Sequence, residues 1–306
     1  MSRTASPSTG KTYGLARVCR LWGIGRATLY RHRSTETEEA PPPRRRPGPN
    51  GPCSDAELLQ HIRAEIAESK FHGEGYRKIW ARLRHKGVRT SQRRVRRLMK
   101  ENALQAPHRI KPPRKRSHDG TITTPQIDML WGTDMTETMT VREGRAYVFV
   151  AVDHCNTELV GIHASISANR FEALEPIRQG VRRCFGAFDK DVASGLSLRH
   201  DHGSNYMAKD FQTEIAFLGI TATPSFVRQP EGNGVAERFI RTLKENFLWV
   251  HTFDTIEELR QGLLEFARHY NANWMVAKHG YKTPDQVRAE QCVVDLPTDN
   301  EVPLAA

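Results

Sequence analysis

Three carboxylic acids, Asp134, Asp201 and Glu237, occupy places from which a chain can present a side chain at the rim of a sheet. Asp134 is read as closing a strand after Trp131-Gly132-Thr133, and Asp201 as closing a later strand before His202-Gly203-Ser204. Glu237 is placed on a helix that begins after Gly232-Asn233-Gly234. Carboxylates on separate elements can converge on one sheet edge. A set of hard oxygen donors suits Mg²⁺, which keeps water and substrate phosphate in its shell. The chemistry that asks for such a set is attack on a phosphodiester. The substrate is an anion that repels its nucleophile, and the leaving 3′ oxygen needs charge stabilisation. Two metals roughly 3.5–4 Å apart can serve both ends of that displacement. The same site can use water to nick a strand or a freed 3′-hydroxyl to join one.

The helix around Glu237 has an apolar stripe of Ala236, Phe239, Ile240, Leu243 and Phe247. Glu237, Arg241 and Lys244 fall at i, i+4 and i+7, on one flank of that helix. A buried face would thus hold the helix while a carboxylate and two cations point toward a groove; a surface ion pair from Glu237 to Arg241 is the plainer alternative. His200 and His202 flank Asp201. An oxygen-rich magnesium site favours DNA contact or local hydrogen bonding for them over metal ligation. The stretch 225–234, SFVRQPEGNG, combines glycines with Arg228 and Gln229, and a mobile loop that orders on DNA and delivers Glu237 is expected there.

The elements that must position these residues follow from the hydrophobic pattern. MLWGTDMTETM is apolar around Thr133-Asp134, AYVFVAVD (146–153) is a continuous buried-strand pattern, and ELVGIHAS (158–165) is a third strand. A helix over 169–186, a strand ending at Asp201, a helix over 206–218 and a strand near 220–223 come next. Strands first, then alternating helices and strands, predict a mixed sheet flanked by helices.

Upstream the chain is helical and basic. Residues 13–33 read as two short helices around Gly23-Ile24-Gly25, with Leu15, Val18 and Leu21 or Trp22 on an inward face and Arg26 and Arg31 on the second helix. Residues 34–52 carry three consecutive prolines and a triple arginine and form a linker. A second module over 53–104 starts at Ser54-Asp55-Ala56-Glu57. Leu58, Leu59, Ile62 and Ile66 form an apolar stripe, Ile79, Trp80 and Leu83 a buried face, and Val95, Leu98 and Met99 pack inward, while Arg93, Arg94, Arg96, Arg97 and Lys100 radiate outward for phosphate contact. Residues 1–126 hold 28 Lys and Arg against 10 Asp and Glu; the remainder holds 18 against 25, within a net charge of +11. A cationic half joined to a mildly acidic one suits a DNA-gripping part beside a part that concentrates carboxylates. Five scattered cysteines without a CxxC pair support neither a disulfide framework nor a zinc ribbon. No apolar run is long enough for a membrane span and no signal peptide is visible, so a cytoplasmic, nucleoid-associated location is expected.

Asp201 and Glu237 are separated by 35 residues. The segments WGTDMT, LRHDHGSNY and NGVAERFIRTLKEN, then EEL, YN and HGYKTP, resemble the DDE transposases of bacterial insertion sequences. The likeness is to the OrfB-type proteins of insertion-sequence family 3 and, more distantly, to retroviral integrases. GYRKIWARLRHKG and RRVRRLMKE resemble that family's helix-turn-helix region. The resemblance implies an α/β ribonuclease-H-like catalytic fold preceded by all-α helix-turn-helix modules. It implies Asp134, Asp201 and Glu237 as catalytic metal ligands, and two Mg²⁺ ions with Mn²⁺ able to stand in. It further implies terminal inverted repeats and target DNA as double-stranded partners, and a homo-oligomer assembled on DNA. An upstream-frame protein is a candidate partner. Lys244, Arg241 and Arg228 are expected at the DNA, with Asp153 and His202 supporting the ligands. His154-Cys155-Asn156-Thr157 departs from the family's usual Phe-Ser-Arg after Asp153. The expected organisation is a first helix-turn-helix over 1–39, linker 40–52, a second module over 53–104, a basic linker over 105–126, a catalytic core over 127–273 and a tail over 274–306. A DNA-binding regulator derived from a transposase, and a nuclease on the same fold, are the competing readings.

Overall fold

A computed structural model describes residues 4–35, 53–107, 124–224 and 233–294. The chain divides into two compact units, up to Gly51 and from Pro52 onward. In the first, helices α1 (Leu15–Leu21) and α2 (Arg26–Thr35) flank a turn in which Gly23 takes a φ of 63°. Among the described residues of this unit only Cys19 is fully buried. Leu21 and Trp22, expected on the inward face, are 82% and 59% exposed. Two short helices offer one another too little surface to bury both stripes.

The second unit begins with α3 (Asp55–Glu68), α4 (Tyr76–His85) and α5 (Gln92–Glu101). Ser54 accepts a hydrogen bond from the Glu57 amide at 3.2 Å while the Glu57 carboxylate takes the Ser54 amide at 2.7 Å, a reciprocal cap that fixes where α3 starts. Leu58, Ile62, Ile79, Leu83, Val95, Leu98 and Met99 form the core of this module, as their spacing predicts; Ile66 and Trp80 are half-buried against it, and Leu59, expected on the same stripe, is half-buried outside that cluster.

Past Thr124 the pattern changes to strands. β1 (Leu130–Thr140) and β2 (Gly144–Asp153) make an antiparallel hairpin, and β3 (Leu159–Ser165) pairs antiparallel with β2. Helix α6 (Arg170–Phe185) crosses to β4 (Ser197–His200), which pairs parallel with β1. Two short helices, α7 (Ser204–Met207) and α8 (Lys209–Phe217), lead to β5 (Thr221–Pro224), parallel to β4. The strand order β3-β2-β1-β4-β5, with helices on both faces, is the mixed sheet flanked by helices expected from the sequence. After residue 232 come α9 (Gly234–Leu243), a π-helical turn (Lys244–Leu248), α10 (Ile256–Asn273), a short 3₁₀ turn (Ala277–His279) and α11 (Pro284–Val294).

Alternation along the strands splits the core in two. Trp131, Phe149 and Ala151 pack under α6 and α8, whereas Val148, Val150 and Val152 pack under α9 and α10. Gly161 lets α6 lie directly on β3, since a Cβ there would meet the Pro176 carbonyl oxygen at 1.9 Å. The segment expected as a tail instead carries α11 onto the sheet. Arg288 donates to both oxygens of Asp128 and to Glu158, and Gln291 accepts the Ile127 amide at 2.8 Å. Within the second unit the helical module also rests on the core. Phe71, between α3 and α4, is buried with ring centroids 4.8 Å from His269 and 5.0 Å from Trp274. The 40–52 linker, residues 108–123 of the basic linker and the 225–232 stretch with Arg228 lie outside the described residues, as does the C-terminal end.

Candidate active site

Asp134 is not at the end of its strand but within it, five residues into β1. What ends nearby is the pairing. In the parallel register Gly132 lies opposite Arg199. Two residues further along, Asp134 on one chain and Asp201 on the other are therefore level, just where β4 stops and its neighbour continues. Parallel strands run about 4.8 Å apart, so the register brings the two residues to the same level at the sheet's opening edge. Asp201 is exposed in the turn after β4, and its Oδ1 accepts the Gly203 amide at 2.8 Å. A Cβ at position 203 would come within 2.8 Å of that same oxygen, so a side chain there would push the Asp201 carboxylate aside.

Glu237 arrives from above. Gly132 and Asp134 share the face of β1 that carries α9. There the Asn233 side-chain amide donates to the Thr133 carbonyl at 2.9 Å. Glu237 lies one helical turn beyond Asn233, on the same side of α9. The carboxyl of Asp134 is pushed up to about 6, first by burial and then by the negative charges of Asp201 and Glu237, with Lys244 pulling it back down. Partial burial also raises Glu237. All four side chains therefore share one electrostatic neighbourhood. Glu237 and Arg241 make no ion pair with one another, so the surface ladder is not what this flank builds.

The donor set is entirely carboxylate oxygen, which fits a hard divalent cation. Among the described residues no three Asp, Glu, His or Cys side chains close into a coordination cage. Mg²⁺ does not require one, since it is commonly held by one or two carboxylates with water and substrate phosphate completing the shell.

The neighbours expected to support the ligands divide. His200 is buried, its Nδ1 2.7 Å from the Asp201 carbonyl oxygen and its ring stacked on Tyr206, so it shapes the turn from below. His202 is exposed beside Asp201. Asp153 is fully buried, accepting the amides of Asp128, Cys155 and Asn156 at 2.7, 2.6 and 3.2 Å, and burial pushes its carboxyl up to about 6. It organises the β2–β3 turn. Two residues that the sequence reading did not single out lie against the site. One is Asn233. The other is Tyr206, buried beneath Asp134, its hydroxyl raised by burial and then by the Asp134 charge.

The basic helix also divides. Arg94 donates to Asp55 at 2.7 Å and to the Cys53 carbonyl at 2.8 Å, and Arg97 bridges Asp55 at 2.5 Å and Glu101 at 2.8 Å. These two turn back to clamp α5 onto the start of α3 rather than radiating outward. Arg93, Arg96 and Lys100, at i, i+3 and i+7, are exposed along one face. Arg26 and Arg31 are exposed on α2.

Residues 54–112 match the HTH-like domain family, and residues 218–284 match the integrase core domain family. The chain is 29% identical over 249 residues to the transposase InsD for insertion element IS2A/D/F/H/I/K of Escherichia coli, covering 78% of this chain and 80% of that one. It has the same identity to the transposase InsD for insertion element IS2-9 of Escherichia coli K12, covering 78% and 79%. Among solved structures, the catalytic core domain of BIV integrase aligns with a TM-score of 0.39 at 20% identity, covering 55% of this chain and 97% of that chain.

Proposed function

We propose that this chain, similar to the InsD transposases of insertion element IS2, is a DDE-type polynucleotidyl transferase that binds the terminal inverted repeats of a mobile element and there cleaves and transfers DNA strands in a Mg²⁺-dependent reaction. The observation that carries the reading is the level placement of Asp134 and Asp201 at the diverging strands, with Glu237 and Lys244 within electrostatic reach.

Asp134, Asp201 and Glu237 would hold the cation. Bound Mg²⁺ supplies charge stabilisation for the attacking and leaving oxygens of the phosphodiester. The remaining work belongs to the chain. The Met135 amide, donating to Asp134 Oδ1 at 2.8 Å, holds that carboxylate in place. The Gly203 amide fixes the rotamer of Asp201. Lys244, near enough to steady the Asp134 charge, offers a cation to the phosphate backbone, and Arg241 extends that flank. Arg93, Arg96 and Lys100 present a second cationic face on α5, suited to phosphates of the repeat. Assembly of several copies on paired ends belongs to the same proposal.

The test is direct. Asp134→Ala, Asp201→Ala and Glu237→Ala are each expected to abolish nicking and joining of labelled element ends in Mg²⁺ while duplex affinity stays nearly unchanged. Joining activity retained in any one of the three contradicts the assignment.

A further inference from the structure

The helix bearing Glu237 is held at both ends by buried asparagines. At its start Asn233 grips the Thr133 carbonyl of β1. At its end the chain enters the π-helical turn Lys244–Leu248, where Asn246 is 6% exposed. A π-turn interrupts the regular hydrogen-bond ladder, and such turns are frequent at functional sites. Asn246 Nδ2 donates to the Thr242 carbonyl at 2.8 Å, bracing the last turn of α9. The other end of the same amide, Oδ1, accepts the main-chain N–H of His72 at 2.8 Å. His72 belongs to the turn between α3 and α4, and its neighbour Phe71 is buried among the core aromatics. One side chain thus joins the helical module, the π-turn and the helix that carries Glu237 and Lys244.

We propose that Asn246 is a positioning residue, the pin through which the seating of α3–α5 fixes α9 against Asp134. The inference rests on reading α9 as part of the active site. Thr242 lies two residues before Lys244 and five after Glu237, so a bond there restrains the last turn of the helix whose first turn carries Glu237 and whose end leads into Lys244. The exposed face of Arg93, Arg96 and Lys100 lies on the module at the other end of the link. A duplex held by that face would bear on the same helix that completes the site.

The test uses the full chain and two variants. Asn246→Leu removes both hydrogen bonds at similar volume, leaving the His72 N–H and the Thr242 carbonyl without this partner. Asn246→Asp keeps an acceptor for His72 and loses the donor to Thr242. Hydrogen exchange is followed in segments 70–75 and 237–248, alongside Mg²⁺-dependent nicking of a labelled duplex carrying the terminal repeat that flanks the chain's own coding sequence. For Asn246→Leu, exchange is expected to rise in both segments and kcat for nicking to fall ~10-fold, the scale of a small misplacement of a catalytic group, with KM for the duplex unchanged. Asn246→Asp should protect 70–75 like the wild type and fall between the two in kcat. Raised exchange confined to 70–75 with wild-type kcat overturns the coupling. If the wild type fails to nick, the active-site reading falls. The exchange data still decide the coupling: spread to 237–244 upholds it, and confinement to 70–75 ends it.

Discussion

Gly132 has no side chain because there is no room for one. A Cβ built there would stand 2.6 Å from the Asn233 Oδ1 and 2.8 Å from the His154 Nε2. The gap is filled by the very side chain that ties α9 to β1, so the glycine is part of how the helix bearing Glu237 is seated on β1. Gly132→Ala should force Asn233 off the Thr133 carbonyl. Overpacking of this kind costs about 1–3 kcal/mol, read as a lower urea midpoint at unchanged slope, and nicking should fall with it. A variant with wild-type stability and activity would refute the close packing described. Asp134, Asp201 and Glu237 were legible in the sequence as residues. The seating of their elements was not, because it depends on a register between β1 and β4 and on a hydrogen bond linking positions 133 and 233. Nothing local to WGTDMT announces that Asn233 will land there.

At the scale of the element, α5 shows how rotation decides the role of a charge. All five cations looked equivalent in QRRVRRLMKE, but Asp55 at the first turn of α3 takes Arg94 and Arg97 and leaves Arg93, Arg96 and Lys100 outside. Arg96→Gln and Lys100→Gln are each expected to weaken duplex binding across sequences and to reduce the slope of log K against log salt by about 1. Arg94→Gln should leave that slope alone and lower stability instead, which fluorescence titrations at several salt concentrations and a urea melt would separate. Helix α4 supplies a pH dependence. Burial lowers Lys78 to about 7 from an ordinary 10.5, with Glu74 at 3.7 Å offsetting part of the cost. Its ammonium also lies on the face of Trp274, 2.8 Å from the ring centroid, across the seam between module and core. Between those two values the unfolded chain holds a proton that the folded chain has released, so stability from this group rises as pH climbs from 7 toward 10. Lys78→Met lacks the buried charge, and Glu74 still keeps Arg82 at 2.9 Å. The variant should therefore be more stable than wild type at pH 6, with the advantage shrinking by pH 9.5. A constant difference in melting temperature across that range would rule the mechanism out.

In the whole molecule, the C-terminal segment buries Val287 but has no continuous apolar stripe and is held largely by charge, so its pattern does not announce a packed element. PDQVRAEQCVV shows little helical periodicity, yet α11 carries Arg288 to the bottom of the sheet. There it meets Asp128 at 2.7 and 2.9 Å and Glu158 at 2.5 Å, while Arg183 reaches Glu158 from α6. Glu158 is fully buried, and Asp153 beside it is buried as well. By contrast the strands, α6 and the module core were readable in advance, because apolar spacing alone specifies them. Removing one partner of a buried ion pair strands the other, at a cost of about 3–5 kcal/mol, whereas replacing the whole group with apolar residues can be nearly neutral. Arg288→Met should therefore destabilise the second unit strongly although it adds apolar bulk. Arg288→Met combined with Asp128→Asn and Glu158→Gln should recover part of that loss, because no carboxylate is then left bare. Lys278 and His279, which donate to or bond the carbonyls of His154 and Cys155 at 2.8 and 2.7 Å, hold the same turn from the chain between α10 and α11. Deleting residues 274–306 should then lower the urea midpoint at least as far as Arg288→Met does. A deletion that left the midpoint unchanged would mean that the segment only leans on the core, and that β1 and the β2–β3 turn hold their places without it.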